Sequence, residues 1–312
     1  MTAPAAGPNT TSAGTAYGLL AYGIWGIFPL YFHALKPAGA WEILAHRIAW
    51  TMLLCLAILA VRRDWAWIRG VLTDRRRAAG LVAAAALIAT NWVIYVIAVL
   101  GGRTYEAALG YFLNPLVTVG LGVLVLGERL RRLQWLAVAI GAAAGIYLAV
   151  AGGTLPWVAM SLALSFGLYG LLKKRLGATL DPWHSLFAET TILLPAAAVI
   201  LAIIAARGES TYGAGSGHTV LLTLAGVVTA VPLLLFAAAA QRVPLVTIGL
   251  IQFITPVMQL LVGVLILKEH VTPALWLGFG IVWVALIILT IDSLRAAHRN
   301  RGTLPPLDPG AA

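Results

Sequence analysis

Few side chains in this sequence can do acid–base or electrostatic chemistry, and most of them stand where water is scarce. Glu42, His46 and Arg47 fall together at the start of one long apolar run. Residues four apart share a face of a helix, so Glu42 and His46 point the same way, and Arg47 lies about 100° round from His46. Glu106 opens another apolar run at the same level, and Asn91 is the most polar residue of the run between them. Glu189 stands about two turns inside a later run. An ionisable group at the centre of a spanning helix costs ~2.5–3.5 kcal/mol on insertion scales, so each of these demands a reason. One reading is chemical. A carboxylate can hold a cation or a proton, a guanidinium can hold an anion, and a histidine titrates near neutral pH. The other reading is structural, with Arg47 paired to Glu42 or Glu106 and locking two helix ends. Glu189 has no basic residue within one turn. It either faces a water-filled cavity, where it could carry a proton, or borrows a partner from another helix.

The elements that position these groups are set by composition. Hydrophobic residues make up 61% of the 312 and charged residues only 10%, against roughly 25% charged in soluble domains. So few charges cannot cover a water-facing surface. A soluble enzyme and a disordered chain are excluded, and an all-α integral membrane protein remains. A spanning helix needs ~20 mostly apolar residues, and the charged positions divide the sequence into ten such runs. They cover residues 16–35, 41–61, 79–100, 104–126, a stretch from 133 to 172 cut in two by Gly and Pro at 151–156, and then 183–205, 218–240, 244–267 and 272–291. A transmembrane barrel would instead show alternating strands of about ten residues. The tails, 1–15 and 295–312, are rich in Ala, Gly, Pro and Thr and read as disordered. The single cysteine, Cys55, excludes an intrachain disulfide. Net charge is +10, and its distribution is informative. With the N-terminus inside, sixteen Lys and Arg fall on inner segments and four (Lys36, Arg103, Arg207, Lys268) on outer ones. This places both termini in the cytoplasm and assigns the basic residues to loops, not to nucleic acid.

The sequence is written twice. Residues 111–135 can be laid on 252–276 at an offset of 141, so that Pro115 meets Pro256, Gly122 meets Gly263, Glu128 meets Glu269 and Trp135 meets Trp276. Trp25-Gly26 resembles Tyr169-Gly170 at an offset of 144. Each half, 16–152 and 153–294, then holds five helices, and an odd number forces the second half to enter from the opposite face. Such inverted repeats are a transporter architecture with a site near midplane. Pro115 and Pro256 remove a donor at midspan and free a carbonyl, which must face protein or a cavity. Asn114, Gln252 and Gln259 are placed to line that space. Trp25, Tyr22, Tyr111, Trp92 and Phe112 could wall it for a flat organic substrate, or simply pack. Glu128 and Glu269, which end their spans, read as helix-end contacts to basic residues such as Arg129 or Lys268.

Several stretches resemble the RarD branch of the EamA family, in the drug/metabolite transporter superfamily. They are Tyr22-Gly-Ile-Trp-Gly26 with Pro29, Glu42-x3-His46-Arg47, Asn91-Trp92, Glu106-Ala-Ala-Leu-Gly-Tyr111-Phe-Leu-Asn-Pro115, Ser165-Phe-Gly-Leu-Tyr-Gly170 and Glu189-Thr190. The resemblance covers about residues 16–292. It implies a secondary transporter in the cytoplasmic membrane, moving a small organic metabolite or drug by alternating access, with export as the expected direction. Span one carries no carboxylate, unlike the small four-helix multidrug exporters of the same superfamily. Their cation/proton exchange therefore does not carry over directly.

No Walker, zinc-protease or nucleophile-elbow pattern occurs, so no metal, cofactor or nucleic acid is expected. The partners are the bilayer, a small-molecule substrate and, as a candidate coupling ion, the proton. A membrane-embedded enzyme and a channel-like facilitator stay open as rival classes. The orientation is directly testable. Reporter fusions after Arg77, Arg132, Arg175 and Arg301 should read as cytoplasmic, and fusions near Lys36 and Ser210 as external. An external signal from the 62–77 loop would overturn the topology.

Overall fold

The structure, a computed structural model, describes residues 8–100, 104–151, 157–178 and 180–266, with isolated helical positions between 273 and 295. Regular structure among the described residues is helical throughout. In chain order the elements are α1 (Pro8–Gly26), α2 (Phe28–Ala34), α3 (Ala40–Arg62), α4 (Ala66–Thr73), α5 (Arg75–Leu100) and α6 (Thr104–Leu126). After them come α7 (Arg132–Ala151), α8 (Trp157–Leu176), α9 (Pro182–Ala206), α10 (Ser216–Arg242), α11 (Leu245–Ile251), α12 (Ile254–Leu261) and a π turn, Val262–Ile266. Ala40–Arg62, Arg75–Tyr95, Pro182–Ala206 and Ser216–Arg242 are long and apolar enough to cross a membrane.

Capping explains where several helices start. Asp74 Oδ1 accepts the N–H groups of Arg76 at 2.9 Å and Arg77 at 3.2 Å, so α5 begins four residues before the apolar run does. Asp181 accepts from Trp183 N at 2.9 Å, and Pro182 supplies the first residue of α9. Three expectations need correction. Helix α1 starts at Pro8, inside the segment read as a disordered tail. The loop 62–78 contains the short helix α4, whose Trp67 stacks on His184 at 4.7 Å. The run expected to end at residue 172 continues to Leu176, because Lys173 is buried and not a loop cation.

Two spans are broken, and both breaks sit beside prolines. Pro29 has no N–H to give the Trp25 carbonyl, and the chain turns at Ile27 between α1 and α2. Gln259 Nε2 supplies the missing donor to Trp25 O at 3.2 Å, and Thr255 Oγ1 donates to Tyr22 O at 2.8 Å. Pro256 likewise cannot reach the Gln252 carbonyl. Thr255 N bonds it instead at 3.2 Å, across the turn that separates α11 from α12. The broken spans cross closely. A Cβ added at Gly26 would lie 2.6 Å from Met258 Cβ. Pro115 was expected to behave like Pro256, yet α6 runs unbroken through it. Packing on both flanks holds α6 straight, with Gly110 against the Ala159 backbone and Gly249 against Val119 and the Pro115 carbonyl.

Glu128 ends α6 in a way the sequence reading missed. Its carboxylate does not turn to Arg129. It accepts the first N–H groups of α11, Leu245 N and Val246 N, each at 2.8 Å, with Lys174 Nζ 3.8 Å away. Free N–H groups at a helix start form an anion site. Gly127, in a left-handed conformation (φ +66°), turns the chain back. Gly122 leaves room for the grip, since a Cβ there would stand 2.9 Å from Glu128 Oε2. Glu269 lies outside the described residues.

The largest core cluster joins α1, α3, α4, α5, α8, α9, α10 and α11 around Tyr22, Tyr169 and Phe236. A second joins α6, α7, α8 and α11 around Phe112, Val246 and Phe253. The packing pairs correspond when the halves are exchanged. α6 on α8 answers to α12 on α1, α5 on α8 to α10 on α1, and α3 on α10 to α9 on α5, while α3 on α9 maps to itself.

Two helix backbones meet closely at Gly226 of α10, where an added Cβ would lie 2.5 Å from the Trp50 carbonyl carbon. Thr51 Oγ1 bonds the Gly226 carbonyl at 3.2 Å beside it. Gly226→Val should therefore separate α3 from α10 and destroy the folded, monodisperse peak in detergent size-exclusion chromatography. A wild-type profile would mean that these helices do not meet there.

Candidate functional site

A cavity of about 240 Å³ opens where the two broken spans meet. That is below the ~300–1,000 Å³ typical of sites for drug-sized ligands, so its occupant is compact. The break after α1 turns Tyr22, Trp25, Phe28 and Phe32 toward it. α5 adds Trp92 and Tyr95, and α8 adds Phe166. These rings meet edge to face, Trp25 with Tyr22 at 5.3 Å and with Phe166 at 5.7 Å, the geometry that ring quadrupoles favour. Polar groups enter at few points: Arg47 from α3, Asn91 from α5, Tyr111 and Asn114 from α6, and Gln252, Thr255 and Gln259 around the second break.

Arg47 is the cation of this cavity. Its guanidinium carbon stands 4.8 Å from the Trp92 ring centre, 5.6 Å from Phe32 and 5.9 Å from Phe28. Such ring faces attract cations electrostatically. Nε donates to Thr229 Oγ1 of α10 at 2.9 Å. No carboxylate bridges to it among the described residues, so the expected pairing with Glu42 is not formed. The Glu106 side chain lies outside the described residues.

The cavity's amides and hydroxyls divide into spent and free. Asn91 Nδ2 donates to Leu162 O and Ser165 Oγ, both at 3.0 Å, which joins the Asn91-Trp92 and Ser165-Phe166 motifs. Gln252 Oε1 accepts from Thr118 at 3.3 Å. Tyr22 Oη and Asn114 Oδ1 are buried with no hydrogen-bond partner among the described residues.

The other predicted groups stand elsewhere. Glu42 closes the loop at residues 210–212. Its carboxylate accepts Thr211 N at 2.8 Å, Thr211 Oγ1 at 2.9 Å, Ser210 Oγ at 3.1 Å and Tyr212 N at 3.3 Å. His46 stacks on Tyr212 at 4.7 Å, and its Nε2 finds no partner among the described residues. Glu189 borrows its partner from another helix. Lys173 Nζ of α8 lies 2.8 Å from Oε1, Ser185 Oγ donates at 2.7 Å and Tyr169 Oη at 3.0 Å. Both charged groups are almost wholly buried. Of the two readings of Glu189, the structure shows the partner borrowed from another helix, and neither Glu189 nor Lys173 lines the cavity. Pro115 and Pro256 shape the backbone without lining the space, and Phe112 packs in the second core cluster.

Sequence reading missed Phe28, Phe32, Tyr95, Phe166 and Thr255 as lining residues. Phe166 was within reach, since it follows Ser165 in a quoted motif. Tyr95 lies four residues after Asn91 and so shares its helix face.

Comparison with known proteins shows the family. The chain matches the EamA-like transporter family twice, over residues 12–151 and 155–291. It is 48% identical to Protein RarD of Streptomyces exfoliatus, over 96% of this chain and 95% of that one. It is 37% identical to Protein RarD of Escherichia coli (strain K12), over 93% and 98%. A solved structure described as "Crystal structure of protein" shares the fold at a TM-score of 0.68 and 17% identity, covering 91% of this chain and 99% of that one.

The Lys173–Glu189 pair generates a prediction about stability. Removing one partner of a buried ion pair leaves an uncompensated charge and costs ~3–5 kcal/mol. Lys173→Met should therefore lower the unfolding temperature in detergent strongly, and the double variant Lys173→Met/Glu189→Leu should recover most of the loss. If the single variant melts with the wild type, the pair does not form.

Proposed function

Since this chain belongs to the EamA-like transporter family and to its RarD branch, we propose that the central cavity is the substrate site of a secondary transporter working by alternating access. The observation that carries this reading is the place of the cavity. It lies where two interrupted spans cross, and interrupted spans concentrate polar backbone near the middle of a transporter. We further propose ten spans arranged as two inverted five-helix repeats, 16–152 and 153–294, with both termini cytoplasmic and the protein in the cell membrane. The correspondence of packing pairs on exchange of the halves supports this. Two related halves can rock about the site and expose it to one side at a time. Export is the direction proposed, and for a coupling proton His46 is a better place than the paired Glu189.

Cys55 is the sole cysteine and is buried, so one substitution, Cys55→Ala, gives a cysteine-free background. Gln259→Cys in that background places a thiol in the cavity wall. Reconstituted in vesicles, it should react with a membrane-impermeant maleimide added from either side, with labelling from one side falling when the other is held open. Labelling from one side only would fit a pocket of a membrane enzyme. Undiminished labelling from both sides would fit a channel.

A further inference from the structure

We propose that the cavity takes a compact aromatic carboxylate and that Arg47 binds its carboxylate group. The proposal rests on the cavity being the transport site and adds the class of its occupant. Three observations carry it. The first is that both sequestered acids of the neighbouring helices are consumed elsewhere, Glu42 by the 210–212 loop and Glu189 by Lys173. Among the described residues the lining then holds one positive charge and no negative one. The second is the state of the guanidinium. Nε is spent on Thr229, whereas the two Nη nitrogens make no hydrogen bond among the described residues and are not sealed off. The terminal edge of a guanidinium presents two parallel N–H groups, which match the two oxygens of a carboxylate. The third is the wall. Trp25, Trp92 and Phe166 give flat apolar faces against which an aromatic ring can lie.

Each alternative occupant meets an obstacle here. An organic cation would be repelled by Arg47 and would find no carboxylate among the described lining. A neutral molecule would leave the Nη donors facing only water in a largely apolar space. A phosphate ester carries up to two charges where the lining supplies one cation.

Binding of labelled indole-3-acetate and labelled phenylacetate to the purified full-length protein in nanodiscs tests this. Unlabelled indole-3-acetamide, tryptamine and phenyl phosphate serve as competitors. Indole-3-acetate or phenylacetate should bind, and the amide and the amine should compete roughly 10- to 100-fold less well, the range for one charge-assisted contact. Arg47→Gln should erase the preference for acid over amide, and Arg47→Lys should keep part of it. The wild-type competition series decides the question even if a variant fails to fold. Equal competition by the amide, stronger competition by tryptamine, or no binding of either acid overturns the proposal. Tighter binding of phenyl phosphate would keep an anion site but overturn the carboxylate assignment. Two-sided labelling at Gln259→Cys that falls on one side when the other is held open leaves the transport reading standing alongside any of these failures. One-sided labelling removes that reading, whatever binds.

Discussion

A backbone carbonyl deprived of its helical donor inside hydrocarbon must be given another, and the centre of this protein is arranged around that requirement. Pro29 and Pro256 each withhold an N–H. The carbonyl of Trp25 is answered by Gln259, and that of Gln252 by Thr255. Those answers oblige α12 to lie against α1, and Gly26 gives it the space to do so. Two kinked spans that cross cannot pack along their full length. The gap they leave is the cavity, and the side chains that mend the backbone are among those that line it.

The same economy governs the charges. Three ionisable groups in apolar runs are stabilised in three different ways. Glu42 receives backbone and hydroxyl donors from a loop, Glu189 receives an ammonium from the next helix, and Arg47 receives ring faces and one hydroxyl. The first two arrangements use up the ionic capacity of the group and fix helices in place. The third leaves hydrogen-bonding capacity over. A guanidinium half-enclosed by aromatics keeps its donors directed into the cavity, which separates it in role from the two carboxylates.

Much of this was legible in the residues. Low charge, apolar run lengths and the doubled Pro-to-Trp pattern define the helices and pair Pro115 with Pro256. Of the predicted site residues, Trp25, Arg47, Asn91, Tyr111, Asn114, Gln252 and Gln259 meet at one cavity. The failures have physical causes. Lys173 reads as a loop cation because it begins a basic triplet, yet its long side chain turns inward to a carboxylate sixteen residues away. Glu189 kept two readings open because its partner sits on a different helix, which spacing along one helix cannot reveal. Pro115 and Pro256 occupy equivalent sequence positions but differ in outcome. The flanks decide whether a proline bends a helix, and flanks are tertiary information. The grip of Glu128 on α11 was equally invisible, since its partners are backbone amides that carry no sequence signature.

The contact between Gly226 and Trp50 has an electrical consequence. With no side chain between them, α3 and α10 lie in close contact, and Thr229 on α10 holds the guanidinium carried by α3. Arg47 is therefore tied to both repeats at once, since its own helix belongs to the first and its hydroxyl partner to the second. A change in the angle between α3 and α10 would have to break that bond, and the guanidinium would then need a new partner for its charge.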